Sequence, residues 1–146
     1  MSDTYNLERF VEAQDNSGTY GQALAELQLG QKAGHWMWFI FPQFAGLGTS
    51  PTSVRYAITS LPEAQAYLKH EVLGPRLLAC AAAITNHADR SAEDILGGID
   101  ARKLHSSMTL FLRAAPGETV FKTVLAQFFD GEPDPATDSL LAADRD

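Results

Sequence analysis

Three segments of the chain open on the same chemical signature, which limits the fold more than any other feature. Ser60-Leu-Pro-Glu63 sets a hydroxyl first, a proline in the first turn and a carboxylate three residues on. Ser91-Ala-Glu-Asp94 repeats the hydroxyl and the acid, and Asp134-Pro135 supplies a carboxylate followed by a proline at a first helical position. Such side chains accept hydrogen bonds from the unpaired N–H groups of a first helical turn, so each reads as a helix start. Stops recur at Gly30, Gly97-Gly98, Pro116-Gly117 and Gly131, where a residue free to turn left-handed, or one unable to donate, ends a helix.

Between these marks the spacing predicts a helix from a cap at Asn6 to about Gln14 and a turn over Asp15–Gly18. A second helix runs from a cap at Thr19 to Gly30. The glycine-rich segment 45–53 is a loop, with Ser53 capping a short turn through Val54-Arg55-Tyr56-Ala57-Ile58. Further helices run from Ser60 to about His70, from Leu73 to about Asn86, from Ser91 to Gly97 and from Asp100 to about Arg113. Val120 to Phe128 forms another, and Asp134 starts the last. The expectation is an all-α fold, a compact single-domain bundle of about seven to nine short helices, spanning residues 4–142 with 143–146 as a frayed tail.

One stretch escapes the punctuation. Residues 35–43 read HWMWFIFPQ, with Trp36, Trp38, Phe39 and Phe41 around Met37 and Ile40, and polar groups only at His35 and Gln43. Aromatic side chains each bury about 150–250 Å² when packed, so this run belongs in the core. Alternation allows a strand and the apolar content allows a buried helix. A buried helix is expected, because a lone strand has no evident partner, with Pro42 near its C-terminal end. His35 and Gln43 would then reach the rim, where polar groups around an apolar element make ligand sites.

Charge and cysteine usage exclude several classes. The chain has 146 residues, a net charge of −7 and eleven scattered Lys and Arg residues. Nucleic-acid binding depends on clustered cations, so no nucleic-acid partner is expected. The one cysteine, Cys80, rules out an intrachain disulfide and sits in an apolar helical run, as a buried inert thiol. The start of the sequence is polar and unlike a secretory signal. No apolar run approaches the roughly 20 residues of a membrane helix. The expectation is a cytoplasmic protein with no membrane association.

The chemistry-bearing residues are few. The four histidines, His35, His70, His87 and His105, lack metal-ligand spacing, so neither a metal nor a cofactor is expected. His70 and His87 sit at predicted helix ends, where a cation suits the dipole. AGLGTSP (45–51) holds a Gly-x-Gly without a Walker lysine. Glu63, Glu71, Glu93 and Asp94 read as helix-start acids. KLHSSMTLF (103–111) buries Leu104, Met108, Phe111 and the following Leu112 on one face. Its other side carries two polar stripes, Asp100-Lys103-Ser107 and Arg102-Ser106-Thr109-Arg113. Ser and Thr are mediocre helix formers, so these stripes are there either for close packing or for a polar pocket wall. A Lys103–Ser107 dyad reverses the usual Ser-x-x-Lys order, and no acid or histidine is poised to complete a triad.

LERFVEAQ, HWMWFIFPQFAGLGTSP, RYAI, VLGPRL and KLHSSMTLF, in this order, resemble the bacterial domain-of-unknown-function 1810 family, some members of which are labelled calpastatin-like. The resemblance covers about Leu7 to Leu141 and implies a compact all-α domain with no established activity. It implies as signature residues His35, Trp36, Trp38, Pro42, Gln43, Gly46, Gly48, Arg55, Tyr56, Gly74, Arg76, Lys103, Ser106, Ser107 and Thr109. His105 stands where an arginine is common in that family.

These readings single out His35, Gln43, Arg55, Tyr56, Arg76, Lys103, Ser106 and Ser107 as candidate ligand-binding residues, with no catalytic residue assigned. Cations among hydroxyls suit an anion. The expected function is binding, with or without turnover, of a small anionic metabolite or nucleotide in a pocket lined by the 46–56 loop and the 103–109 helix. The alternative is a non-catalytic protein–protein interaction module, which predicts an exposed apolar patch and no convergence of polar groups.

Overall fold

The computed structural model describes residues 3–144. Ten α-helical segments run along them: α1 Glu8–Asp15, α2 Thr19–Leu29, α3 Met37–Ile40, α4 Pro51–Arg55, α5 Leu61–Lys69, α6 Leu73–Ile84, α7 Ala92–Leu96, α8 Gly98–Ala114, α9 Thr119–Phe128 and α10 Pro135–Asp144. A 3-10 turn at Asn16–Gly18 links α1 to α2. The only extended pairing among the described residues is a parallel bridge between Phe44 and Ile58. The fold is all-α, as the punctuation predicts, and none of these helices is long and apolar enough to cross a membrane. Arg145 and Asp146, the end of the tail expected to fray, lie outside the described residues.

The start signals work by the chemistry that marks them. Ser60 Oγ accepts from Glu63 N–H at 3.1 Å, and Ser91 with Asp94 forms a full capping box. Asp134 Oδ2 accepts from Thr137 N–H at 3.2 Å. At the other end of α2, Gly30 turns left-handed (φ 83°), and its N–H and that of Gln31 reach back to the Glu26 carbonyl, a helix stop that suits glycine.

Four boundaries differ, each for a local reason. Asn6 does not cap α1; Asp3 does, its carboxylate accepting from Leu7 and Glu8 N–H at 2.7 and 2.9 Å. Gly18, not Thr19, is the residue before α2. Ser50 rather than Ser53 caps α4, because Pro51 fits the first helical position that follows. α8 begins at Gly98, two residues before Asp100.

The stretch 35–43 is the main correction. Its helix is one turn, Met37–Ile40. Pro42 disfavours helical geometry at Phe41, and the chain then extends. Gln43 carbonyl accepts from Ile58 N–H at 2.9 Å, and Ala45 N–H donates to Ile58 carbonyl at 2.8 Å. The partner missing from the sequence reading is the segment after α4. Trp36, Met37, Ile40 and Phe41 are buried as expected, whereas Trp38 and Phe39 are half-exposed.

α8 is the axis of the bundle and packs on α5, α7, α9 and α10. Leu104, Met108 and Phe111 are fully buried on it. Phe10 of α1 meets Tyr67 of α5 edge-on at 5.1 Å, Tyr67 meets Phe111 at 5.4 Å, and Phe111 meets Phe121 of α9 at 5.9 Å. Each such pair adds about 0.5–1.5 kcal/mol beyond its burial. Cys80 is buried in α6, and burial pushes its thiol up to about 12, which makes it a poor nucleophile.

Candidate functional site

Two cavities flank Trp38. The first, about 330 Å³, lies between the 32–38 segment and the start of α8, and is lined by Lys32, His35, Trp38, Gly98, Asp100 and Lys103, with Leu96 and Ile99 at its sides. The second, about 170 Å³, lies under the 43–59 loop, and is lined by Trp38, Gln43, Phe44, Ser53, Tyr56 and Thr59, with small apolar groups between them.

The first cavity has a defined charge pattern. Lys32 Nζ lies 2.8 Å from one Asp100 oxygen and Lys103 Nζ 3.1 Å from the other. Lys32 also donates to the Gly34 carbonyl. An ammonium has three donors, so Lys32 keeps one free and Lys103 two. One carboxylate between two cations leaves local positive charge in a protein of net charge −7, and a cavity lined by one excess sign concentrates the opposite ion. Burial raises the Asp100 carboxyl, but the two lysines outweigh this and hold it below its ordinary value. Lys103 sits over the Trp38 ring at 4.5 Å and Lys32 over Trp36 at 5.0 Å, cation–π contacts that hold both amines in place. The first turn of α8 lines the same cavity, with Gly97 before it bearing no capping side chain.

Glu26 of α2 builds the approach to this cavity. Its Oε1 accepts from Ala33 N–H (2.7 Å), Gly34 N–H (3.0 Å) and the Trp36 indole (2.9 Å), and its Oε2 from Gln22 (2.8 Å). Lys32 N–H donates to Ile95 carbonyl at 2.8 Å, which fixes the other edge of the segment. Burial raises the Glu26 carboxyl, yet these donors outweigh it and pull it down to about 2, against 4.5 for a free glutamate. Its stabilising contribution is therefore whole above about pH 5 and lost as the pH falls through the folded value. Glu26→Gln is expected to cost about 2 kcal/mol at neutral pH, after allowance for solvent screening. It should also flatten the acid limb of a urea-stability curve between about pH 5 and 2. An unchanged acid limb would mean that other carboxylates carry it.

The candidate residues separate into groups. His35 and Lys103 line the first cavity, and Gln43 and Tyr56 the second. The expected single pocket between the 46–56 loop and the 103–109 helix is thus divided by Trp38. Arg55 is exposed at the end of α4, its guanidinium 5.6 Å over the Tyr56 ring. Arg76 is a fastener: it pairs with Asp15 at 2.9 Å, donates to Gln14 at 3.2 Å and covers the Tyr20 ring, tying α6 to α1 and α2. Ser106 donates to Asp134 at 3.0 Å, and Thr109 Oγ1 accepts from Asp134 N–H at 2.8 Å. That stripe docks α10. Ser107 is fully buried, and its hydroxyl has no hydrogen-bond partner among the described residues.

The histidine at the position that departs from the family signature, His105, stacks on Phe129 at 4.2 Å and bonds the Glu132 carbonyl, away from both cavities. His70 Nδ1 accepts from Val72 and Leu73 N–H, so the residue that ends α5 also caps α6. His87 Nε2 donates to the Leu27 carbonyl at 2.7 Å and closes the end of α2. No group of three or more His, Cys, Asp or Glu side chains among the described residues is placed to hold a metal.

Lys32 is the residue that sequence reasoning missed. It sits in a loop with no periodicity, and only its distance to Asp100 reveals it. Asp100 carried a weak signal, since it shares a stripe with Lys103.

Comparison with known proteins places the chain. No curated protein matches it. The crystal structure of the conserved hypothetical protein Rv1873 from Mycobacterium tuberculosis superposes with a TM-score of 0.92 at 50% sequence identity, covering 96% of this chain and 99% of that one. The sequence profile of the family described as "Protein of unknown function (DUF1810)" matches residues 4–141. The chain belongs to the DUF1810 family.

Proposed function

We propose that this protein binds a small anionic metabolite, a nucleotide or another phosphorylated compound, in the cavities beside Trp38. The observation that carries this reading is the Lys32–Asp100–Lys103 cluster, in which two ammonium groups share one carboxylate and keep donors free at a cavity wall. Phosphate oxygens suit such donors, and charge-assisted bonds to them are the strong ones. Asp100 holds the two lysines close without neutralising both. A single thiol buried in α6 suits a reducing cytoplasm.

The interaction-module reading draws on Leu29, Val54 and Ile99, large apolar side chains that are 73%, 64% and 73% exposed. They sit on three different helices, and single exposed apolar residues are ordinary. The anion reading is therefore preferred.

Thermal unfolding in the presence of inorganic pyrophosphate, nucleotides and phosphorylated sugars tests it. A ligand confined to the folded state adds about 2.7 kcal/mol at a hundredfold excess over Kd. The Lys103 side chain is 19% exposed and outside the core, so Lys103→Ala should fold normally and lose at least about tenfold in affinity, as removal of a charge-assisted bond requires. Equal shifts in wild type and Lys103→Ala would remove the cluster from the binding site, and no shift with any anion would remove the reading itself.

A further inference from the structure

Resting on the anion-binding reading, the two cavities say more about the ligand. We infer that it is a nucleoside phosphate, with its base under the 43–59 loop, its phosphates at Lys32 and Lys103, and Trp38 alongside the sugar between them. The two cavities share Trp38 as a lining residue, so they are neighbours. They differ in chemistry. The lysine cavity carries the charge, two ammonium groups around one carboxylate. The loop cavity is lined by Phe44, Val54 and Ala57, with Gln43, Ser53 and Thr59 at its polar edge. Its 170 Å³ exceeds the roughly 150 Å³ that holds a benzene ring. A phosphorylated sugar would leave this apolar cavity empty, whereas a flat heterocycle fills it.

Gln43 gives the loop cavity a means of reading such a ring. Its backbone is committed, the carbonyl accepting from Ile58 N–H at 2.9 Å. Gln43 is among the residues lining the cavity, and a carboxamide carries one donor side and one acceptor side. A glutamine amide can pair in two-point fashion with the edge of a purine such as adenine. Trp38, half-exposed between the cavities, offers an indole face to base or sugar.

The test uses the intact protein with three probes: ADP, ribose 5-phosphate and inorganic pyrophosphate. Affinities are read by calorimetry and by tryptophan fluorescence, to which only Trp36 and Trp38 contribute. Trp36 is buried at 1% exposure, so quenching on binding reports Trp38 and should vanish in Trp38→Phe. ADP is expected to bind at least tenfold more tightly than either other probe. Gln43→Ala should remove most of that advantage while leaving pyrophosphate affinity unchanged, and Lys103→Ala should weaken ADP and pyrophosphate alike. If ADP gains nothing over ribose 5-phosphate, or Gln43→Ala weakens pyrophosphate equally, the base-pocket assignment is overturned while the anion reading stands. If no probe binds, both fall together.

Discussion

Gly74→Ala is expected to destabilise this protein by about 3 kcal/mol or more, although glycine-to-alanine inside a helix ordinarily gains up to about 1 kcal/mol. A Cβ at residue 74 would stand 2.1 Å from the Leu68 carbonyl oxygen and 3.0 Å from its carbon. Those are backbone atoms of α5 and cannot rotate away, so α5 and α6 would have to separate. Their contact is tight because the turn between them is short. His70 ends α5, its Nδ1 caps α6, and Gly74 N–H donates back to the His70 carbonyl at 3.0 Å. Separation would also pull Tyr67 from its packing on Phe10 and Phe111. A fall of about 10 °C in thermal midpoint is expected for a domain of this size. Gly21→Ala in α2 is the control. Nothing lies within 4 Å of its Cβ, so it should raise stability by about 0.5–1 kcal/mol. Equal stability of Gly74→Ala and wild type would show that α5 and α6 have room there.

The second large effect is expected from Arg9→Met, at about 3–5 kcal/mol. Arg9 uses all five of its donors. Nε bonds the Arg55 carbonyl (2.8 Å); Nη1 bonds the Tyr5 and Asn6 carbonyls (2.7 and 2.8 Å); Nη2 bonds the Ala57 carbonyl and Glu63 (2.9 and 3.0 Å). Glu63 is 3% exposed at its side chain, and its other oxygen accepts from the N–H and hydroxyl of Thr59. It therefore serves the residue before Ser60 rather than closing a box on Ser60 itself. Removing Arg9 strands this carboxylate in the interior, the costly way to break a buried pair. Lysine cannot replace the planar fork, so Arg9→Lys should recover little. Arg9→Met combined with Glu63→Leu should be more stable than Arg9→Met alone, because the stranded charge is gone. Chemical denaturation of the four proteins in a double-mutant cycle gives the coupling, and additive effects would show that the pair is not coupled. Arg9 also holds the carbonyls of 55 and 57, behind the loop cavity, so amide exchange at Ile58 should quicken in Arg9→Met.

Sequence reading succeeded wherever structure depends on near neighbours. A hydroxyl or carboxylate can cap only a helix that starts within three residues of it, so Ser60, Ser91 and Asp134 were visible. Gly30 was visible because a left-handed stop excludes most other residues. It failed where the partner lies far along the chain. The stretch 35–43 reads as a buried helix because the bridging partner of its neighbour Phe44, Ile58, lies beyond a loop and α4. The Ser106 and Thr109 stripe allowed either close packing or a pocket wall, and Asp134 of the α10 start decides for packing. Arg76, a plausible anion ligand by charge, is taken by Asp15 and Gln14.

The candidate site shows the same division. The apolar stretch and the α8 stripe supplied Gln43 and Lys103 as polar groups at an edge, whereas Trp38 was expected in the core. That two cavities meet at Trp38, and that Lys32 joins Lys103 across one carboxylate, follows from the packing of α7 and the 31–36 loop against the start of α8. Local hydrogen bonding made the helices and their ends readable in the chain by itself. The site was decided by tertiary structure, because charge, burial and cavity shape depend on which distant side chains arrive together.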